Sequence, residues 1–414
     1  MRRFLKRTVV FFSFLLTVGI TSCYAYSMLT HLAIIDASWE GVFLPAIKQR
    51  FPTATEEQLK QARAYAYGGA IGPDIGYSRH GNKLFSNLLH YVRTGDFVES
   101  LLEEARDINE FAFALGVVSH YYGDECGHAI AVNRSVPLMF PEMQKKFGDT
   151  VTYADNKITH LRTEFSFDVI QVAKGNFASK AYHDFIGFQI SKPVLERAFT
   201  KTYGLDINEL FGNFEKAVGS LRWTVKDLMP QITRQAWKSN KKNIRKLSPT
   251  ATRHSFIYRM RRPDYFGEFG RVREKKSVRA SIVSFLFRIA PKIGPLKYLK
   301  FKTPTQEAQL LFTTSFDSTV LKYKDGVINR NATGVFENVD WDTGKETRQE
   351  EYWLADKTYS DLVIKLKEKK FETASAELKE NLLSFYKNYS NNIGLNAAQW
   401  QQTTAALQEL KMKR

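Results

Sequence analysis

The chain reads as an all-α protein, a multi-helical bundle followed by a mostly helical C-terminal extension. Three observations point there. Apolar residues recur at three- and four-residue intervals from about residue 26 to 240 and again after 356. Few stretches alternate with the period of two that a strand requires. A hydrophobic content of 43% with 14% aromatic residues, over 414 positions, suits a folded protein with one large core or two modest ones. Taken in order, Glu56 to Tyr67, Leu84 to Ile108 and Asn109 to His128 carry the helical pattern. Thr55-Glu56-Glu57 and Asp107-Ile-Asn-Glu110 look like helix starts, each with a small polar cap before an acidic first turn. Gly69 to Gly76 interrupts the pattern and is expected to be a loop. Helical patterning returns from Asp356 to Lys370 and from Glu372 to Tyr389. Val320 to Val339, with Asp325-Gly326, Asn331 and Gly334, is expected to be irregular or to hold a short hairpin.

Four segments follow: 1–25, 26–240, 241–310 and 311–414. Met-Arg-Arg-Phe-Leu-Lys-Arg and the apolar run Thr8 to Ile20 read as a secretion signal, since the run is too short to span a bilayer comfortably. Cleavage before Cys23, in Ile20-Thr-Ser-Cys23, would leave a lipidated cysteine. Cleavage after Ala25 would leave Tyr26 first, and this is the preferred reading. The protein is thus expected to be exported, periplasmic or secreted. Cys23 and Cys126 are the only cysteines, so there is no disulfide framework, and Cys126 reads as a small packing residue. From Arg234 to Lys302 there are 20 Lys and Arg against three acids, Asp264, Glu268 and Glu274. This surplus of +17 equals the formal charge of the whole chain. It flanks the apolar run Val283 to Ile289, a composition suited to an anionic membrane surface. A solvated linker or a nucleic-acid-binding patch would share the composition.

The chemistry lies elsewhere. Six of the eight histidines fall between 31 and 160. His120-Tyr-Tyr-Gly-Asp124-Glu-Cys-Gly-His128 and His160-Leu-Arg-Thr-Glu164 have metal-ligand spacing, with the imidazole and carboxylate donors that zinc accepts. Helical residues four apart differ by roughly 40° around the axis and those eight apart by about 80°. His120, Asp124 and His128 are therefore expected on one helical face.

Taken in chain order, these clusters resemble the zinc-dependent phospholipase C family, which shares its all-helical fold with single-strand nucleases. The resemblance covers about residues 26 to 240. It implies two to three zinc ions. Tyr26-Ser-Met-Leu-Thr-His31 is similar to the nuclease branch's N-terminal aromatic followed by histidine, implying one zinc on the Tyr26 backbone and His31. Tyr replaces the usual Trp, which leaves backbone ligation intact. Asp74, in Gly72-Pro-Asp74, resembles an aspartate that touches zinc and is assigned as general base. His90 matches the next ligand, with the loop histidine His80 as its competitor. His120 and Asp124 match the central ligands, Asp124 as a carboxylate shared by two metals. His128, His160 and Glu164 match the last site, which keeps a position open for substrate. The four-residue step from Asp124 to His128 is shorter than in most bacterial members. It resembles the N-terminal domain of glycosylphosphatidylinositol phospholipase D. His183 and His254 match no ligand position.

Such a cluster suits phosphodiester hydrolysis. A phospholipase C-like hydrolase acting on phospholipid is the leading reading, on the export signal, the basic-apolar stretch and the Asp124 to His128 step. A single-strand nuclease or 3′-nucleotidase is the alternative, favoured by the Tyr26 to His31 interval. It would need aromatic clamps, for which Phe85, Tyr91, Tyr121 and Tyr122 are candidates. A zinc-stabilised envelope protein without turnover is the third.

Overall fold

The computed structural model describes residues 28–174, 176–177, 188–225, 301–329, 336–387 and 395–413, with parts of 237–253. Tyr26, His183, His254, the signal-like segment and residues 254–300 of the basic stretch lie outside the described residues. The regular elements among the described residues are helices except for one hairpin, Val339–Asp340 paired antiparallel with Lys345–Glu346. The all-α expectation holds. Among the described residues no helix is long and apolar enough to cross a membrane.

Helices α1 (Met28–Ser38) and α2 (Leu44–Arg50) are joined by a π-helical turn, Trp39–Phe43. Then come α3 (Glu56–Ile71), a 3₁₀ turn (Gly72–Tyr77), α4 (Lys83–Tyr91), α5 (Thr94–Glu104) and α6 (Ile108–Cys126). A second π turn, Gly127–Val132, leads into α7 (Asn133–Met139), α8 (Pro141–Phe147) and α9 (Lys157–Lys174). Next are α10 (Lys192–Tyr203), α11 (Ile207–Leu210), α12 (Phe214–Trp223) and α13 (Gln306–Ile328). The chain closes with the hairpin and with α14 (Trp353–Glu368), α15 (Ala376–Phe385) and α16 (Ala397–Met412).

Both expected helix starts are present. Thr55 and Gln58 exchange side-chain-to-backbone hydrogen bonds in a capping box, which satisfies two otherwise unpaired amides at the start of α3. Asp107 accepts from the amides of Asn109 and Glu110 at the start of α6. The stretch from Leu84 to Ile108 is two helices, not one. Arg93 takes a left-handed backbone, φ 49°, between α4 and α5. Its buried guanidinium holds that break by donating to Asp96 at 2.6 Å, to the Thr202 carbonyl at 2.9 Å and to Glu377.

Glycines misled the loop expectation twice. Gly69 lies inside α3 because α3 and α6 cross too closely for side chains. A Cβ on Gly69 would overlap the Phe113 carbonyl, and one on Gly116 would overlap the Ala66 carbonyl. Gly326 likewise lies inside α13, where a Cβ would strike the Tyr122 ring. The Val320 to Val339 stretch is therefore helical to Ile328. The short hairpin falls at its far end.

Helix α6 is the axis of the molecule, with α3 and α5 on it and α1 and α13 packed against it as well. One apolar core is continuous from Leu32 and Leu115 to Phe312, Trp341, Leu362 and Leu410. The C-terminal helices thus share their interior with the helices that carry the histidines.

The α3–α6 crossing supplies a contest of signs. Gly116→Ala gains about 1 kcal/mol of helix propensity. It also forces a methyl into a backbone carbonyl, and overpacking typically costs about 1–3 kcal/mol or more. We expect a net loss of stability in a denaturant melt. A raised midpoint would show that the crossing has slack.

Candidate metal centre

Each expected ligand among the described residues arrives by a local device. Asp74 sits in the 3₁₀ turn after α3, pinned by α4: the Ser86 hydroxyl accepts from the Gly76 amide at 2.9 Å and donates to the Pro73 carbonyl. His90, in the last turn of α4, has its Nδ1 on the Ser86 carbonyl at 2.7 Å. His120, in α6, has its Nδ1 on the last-turn carbonyl of Ala70 in α3, at 2.8 Å. Carbonyls accept, so each of these Nδ1 atoms carries its proton, and each Nε2 is the atom that can donate a lone pair once the ring is neutral. His31, in α1, stacks on His120 with centroids 4.1 Å apart. Gly123 leaves room beside that stack, since a Cβ there would lie 3.1 Å from His31 Nδ1 and the ring would have to give by a few tenths of an ångström.

These side chains converge on Asp124. Its Oδ1 is 3.2 Å from His31 Nε2. Its Oδ2 is 3.1 Å from His120 Nε2 and 3.4 Å from His90 Nε2. His90 Nε2 is also 3.5 Å from Asp74 Oδ1. In a second group, His160 Nε2 and His128 Nε2 lie 2.8 and 3.4 Å from Glu164 Oε1. Three sets have ligand atoms within 4.8 Å of one another: His31, His120 and Asp124; Asp74, His90 and His120; His128, His160 and Glu164. All eight residues are buried.

The donor chemistry fits a metal. Tetrahedral zinc with ligands at about 2.1 Å sets its donors roughly 3.4 Å apart, close to the spacings found. Both oxygens of Asp74 and of Asp124, Glu164 Oε1 and both ring nitrogens of His160 are buried without a hydrogen bond. Polar atoms left in that state are costly unless something else satisfies them, and a coordinated cation does so. The electrostatics agree in sign. Burial opposes charge on His90, yet Asp124 and Asp74 outweigh it and raise its pKa to about 10. Burial also works against the Asp124 carboxylate, but His120 and His128 hold its pKa well below the usual range. His31, where burial and then His120 dominate, is shifted down, toward the neutral form that binds metal.

The helical-face expectation needs one correction. His120 and Asp124 lie on α6, but α6 ends at Cys126 and His128 stands in the wider π turn. From there His128 Nε2 reaches Glu164 on α9. The two ends of the motif serve different groups, as the resemblance implied. Cys126 is buried and free, its thiol pushed up to about 11 by burial and the nearby Glu125, as befits a packing residue. His80 is exposed, away from the cluster. Of the candidate clamps, Phe85, Tyr91 and Tyr121 are buried in the core and Tyr122 is partly buried against it.

Sequence reasoning missed the hairpin's part in the site. The Trp341 carbonyl lies 3.0 Å and Asp342 Oδ1 3.2 Å from His128 Nδ1. The Trp341 indole packs on His90 and His120, with centroids 4.7 and 5.2 Å apart. The only signal was Asp340-Trp-Asp342, acid and aromatic together in a turn-rich stretch. Nothing local ties it to residue 128.

Asp340 folds the turn by accepting from the amides of Asp342 and Thr343 at 2.9 and 3.0 Å. Burial, then the neighbouring Asp342 charge, push its pKa from 3.8 up to about 7. A carboxyl raised on folding binds its proton more tightly when folded. Its contribution is therefore present below the unfolded pKa and is lost as pH rises toward 7. Asp340→Asn removes this dependence. Relative to the parent, the variant should gain stability between pH 5 and pH 8, read as the difference between denaturant melts. A constant difference would show that Asp340 does not titrate there.

Residues 30–213 match the family model for zinc dependent phospholipase C. The chain has no match among curated proteins or among solved structures. All eight buried ligand candidates fall within the match, so the region that carries them is similar to the zinc-dependent phospholipase C family.

Proposed function

We propose that the protein is an exported zinc-dependent phosphodiester hydrolase of phospholipase C type, holding two to three zinc ions. The observation that carries this reading is the linkage of the buried groups. His31, His90 and His120 all face one carboxylate, Asp124, and the His128 group lies beyond it. We assign Asp74, His90, His120 and Asp124 to one zinc. His128, His160 and Glu164 would hold a second, where zinc would supply Lewis-acid chemistry to the substrate. His31 and Asp124, together with the Tyr26 backbone as a new N-terminus, take a third. Bound zinc would polarise a phosphoryl oxygen and acidify water. Asp74 accepts the water's proton, Asp124 offsets the charge of two cations, and the helix-anchored imidazoles hold the geometry.

The nuclease reading draws on the Tyr26 to His31 interval. The burial of Phe85, Tyr91 and Tyr121 weighs against it, because a stacking platform has to face a base. Export rests on the N-terminal segment, and adsorption to anionic lipid on the basic stretch.

Purified mature protein should contain two to three zincs by elemental analysis and should hydrolyse phosphatidylcholine in preference to single-stranded DNA and 3′-AMP. Metal near zero would overturn the reading, and preference for DNA or 3′-AMP would shift it to the nuclease. Asp124→Asn should lower turnover by at least about 100-fold, since even outer partners of metal ligands cost 10–100-fold, and should weaken more than one zinc. Glu164→Gln should weaken one.

The basic stretch gives a separate test. Each Lys or Arg near an anionic bilayer contributes roughly 1 kcal/mol. Changing Lys275, Lys276, Arg279 and Arg288 to Gln should cut co-sedimentation with phosphatidylserine vesicles steeply and leave turnover of a soluble short-chain phosphodiester unchanged. Equal vesicle binding would remove the membrane role.

A further inference from the structure

We infer that Asp342, in the C-terminal extension outside the family-matched residues, is a positioning residue for the metal centre: it orients His128 through Nδ1. This deepens the zinc reading above and rests on it.

A neutral imidazole can donate to metal through Nε2 only if Nδ1 keeps the proton and the ring is held at the right rotation. His90 and His120 meet this condition with carbonyls of α4 and α3. His128 stands in the π turn, and its partners come from outside the helices. Its Nδ1 instead faces the hairpin, between the Trp341 carbonyl at 3.0 Å and Asp342 Oδ1 at 3.2 Å. A carboxylate there does more than a carbonyl. It fixes the tautomer and also makes the imidazole a stronger donor to a cation.

The carboxylate is itself held on every side. Its Oδ2 accepts from the Tyr91 hydroxyl at 2.9 Å and the Tyr352 hydroxyl at 2.5 Å, leaving Oδ1 for His128. The Asp342 amide donates to Asp340, and its carbonyl accepts from Asn133 Nδ2 at 2.6 Å. Tyr91 follows His90 in α4, and Asn133 opens α7 directly after the His128 turn. The adjacent Trp341 donates its amide to the His90 carbonyl at 3.0 Å, so one residue bridges the backbone of one group and the imidazole of the other. A loose surface acid would have none of these bonds. Asp342 is fully desolvated and presents its remaining oxygen to the ring.

The test uses the full-length mature protein and its Asp342→Asn variant, nearly isosteric and able to accept from both tyrosines. Zinc affinity is read by competition with a chromophoric chelator, and metal-free stability by melting in excess EDTA. We expect one zinc to weaken by about 10- to 100-fold, the others to hold, and the metal-free midpoint to change little. Adding Asp342→Asn to His128→Ala should weaken that zinc no further, because the effect passes through the ring. Tyr352→Phe, which removes one hydroxyl from Oδ2, should give a smaller loss at the same zinc. Unchanged zinc affinity in Asp342→Asn would overturn the inference. So would a lowered EDTA midpoint with all zincs weakened alike, which marks a role in folding only. A parent protein that binds no zinc would instead overturn the metal reading, before Asp342 is in question.

Discussion

The burial of the Asp124 carboxylate among imidazoles is the constraint on which the rest of the centre depends. A fully desolvated carboxylate is stable only beside positive charge. His31 comes from α1, His90 from α4 and His120 from α6 itself, so this one residue requires three helices to meet in a defined rotation. The cluster draws positive charge onto His90, as its raised pKa reports. A divalent cation meets the same electrostatic demand with fewer degrees of freedom. Function and folding therefore act on the same atoms, and the polar interior is tolerable because a partner for it belongs to the design.

Bringing those helices together takes small residues as well as charges. Without side chains at Gly69 and Gly116, α3 approaches α6 closely enough for the Ala70 carbonyl to reach His120 Nδ1. Gly123 leaves room beside the His31 stack. Read locally, glycines suggest loops. Here two of them lie inside long helices and set an interaxial distance, and the metal-facing nitrogens take their direction from it.

The C-terminal extension is built into this arrangement. Helix α13 lies along α6 and the His128 turn, and the hairpin inserts Trp341 against His90 and His120. An apolar wall beside a cation site lowers the local dielectric and strengthens every charge interaction inside it. This gives the residues beyond the family-matched region a place in the site's physics, through packing and through the hydrogen bonds at His128.

The sequence by itself determined the helical class and the caps at Thr55 and Asp107, and its local spacing marked His120, Asp124, His128, His160 and Glu164 as ligand candidates. Periodicity marks a buried helical face, and a histidine four residues from a carboxylate marks one turn; His31, Asp74 and His90 carry no such spacing and were named only through the family resemblance. The same local rules failed at Gly69, Gly326 and Arg93. There the backbone answers to a neighbour distant in sequence, or to a buried guanidinium whose partners are Thr202 and Glu377. They also carried one regular α-helix through His128, where the chain widens into a π turn. Only the tertiary structure decided that Trp341 and Asp342 stand behind His128. Contacts across some 200 residues leave no periodic trace, since they are selected by how whole helices pack and not by the order of residues along any one of them.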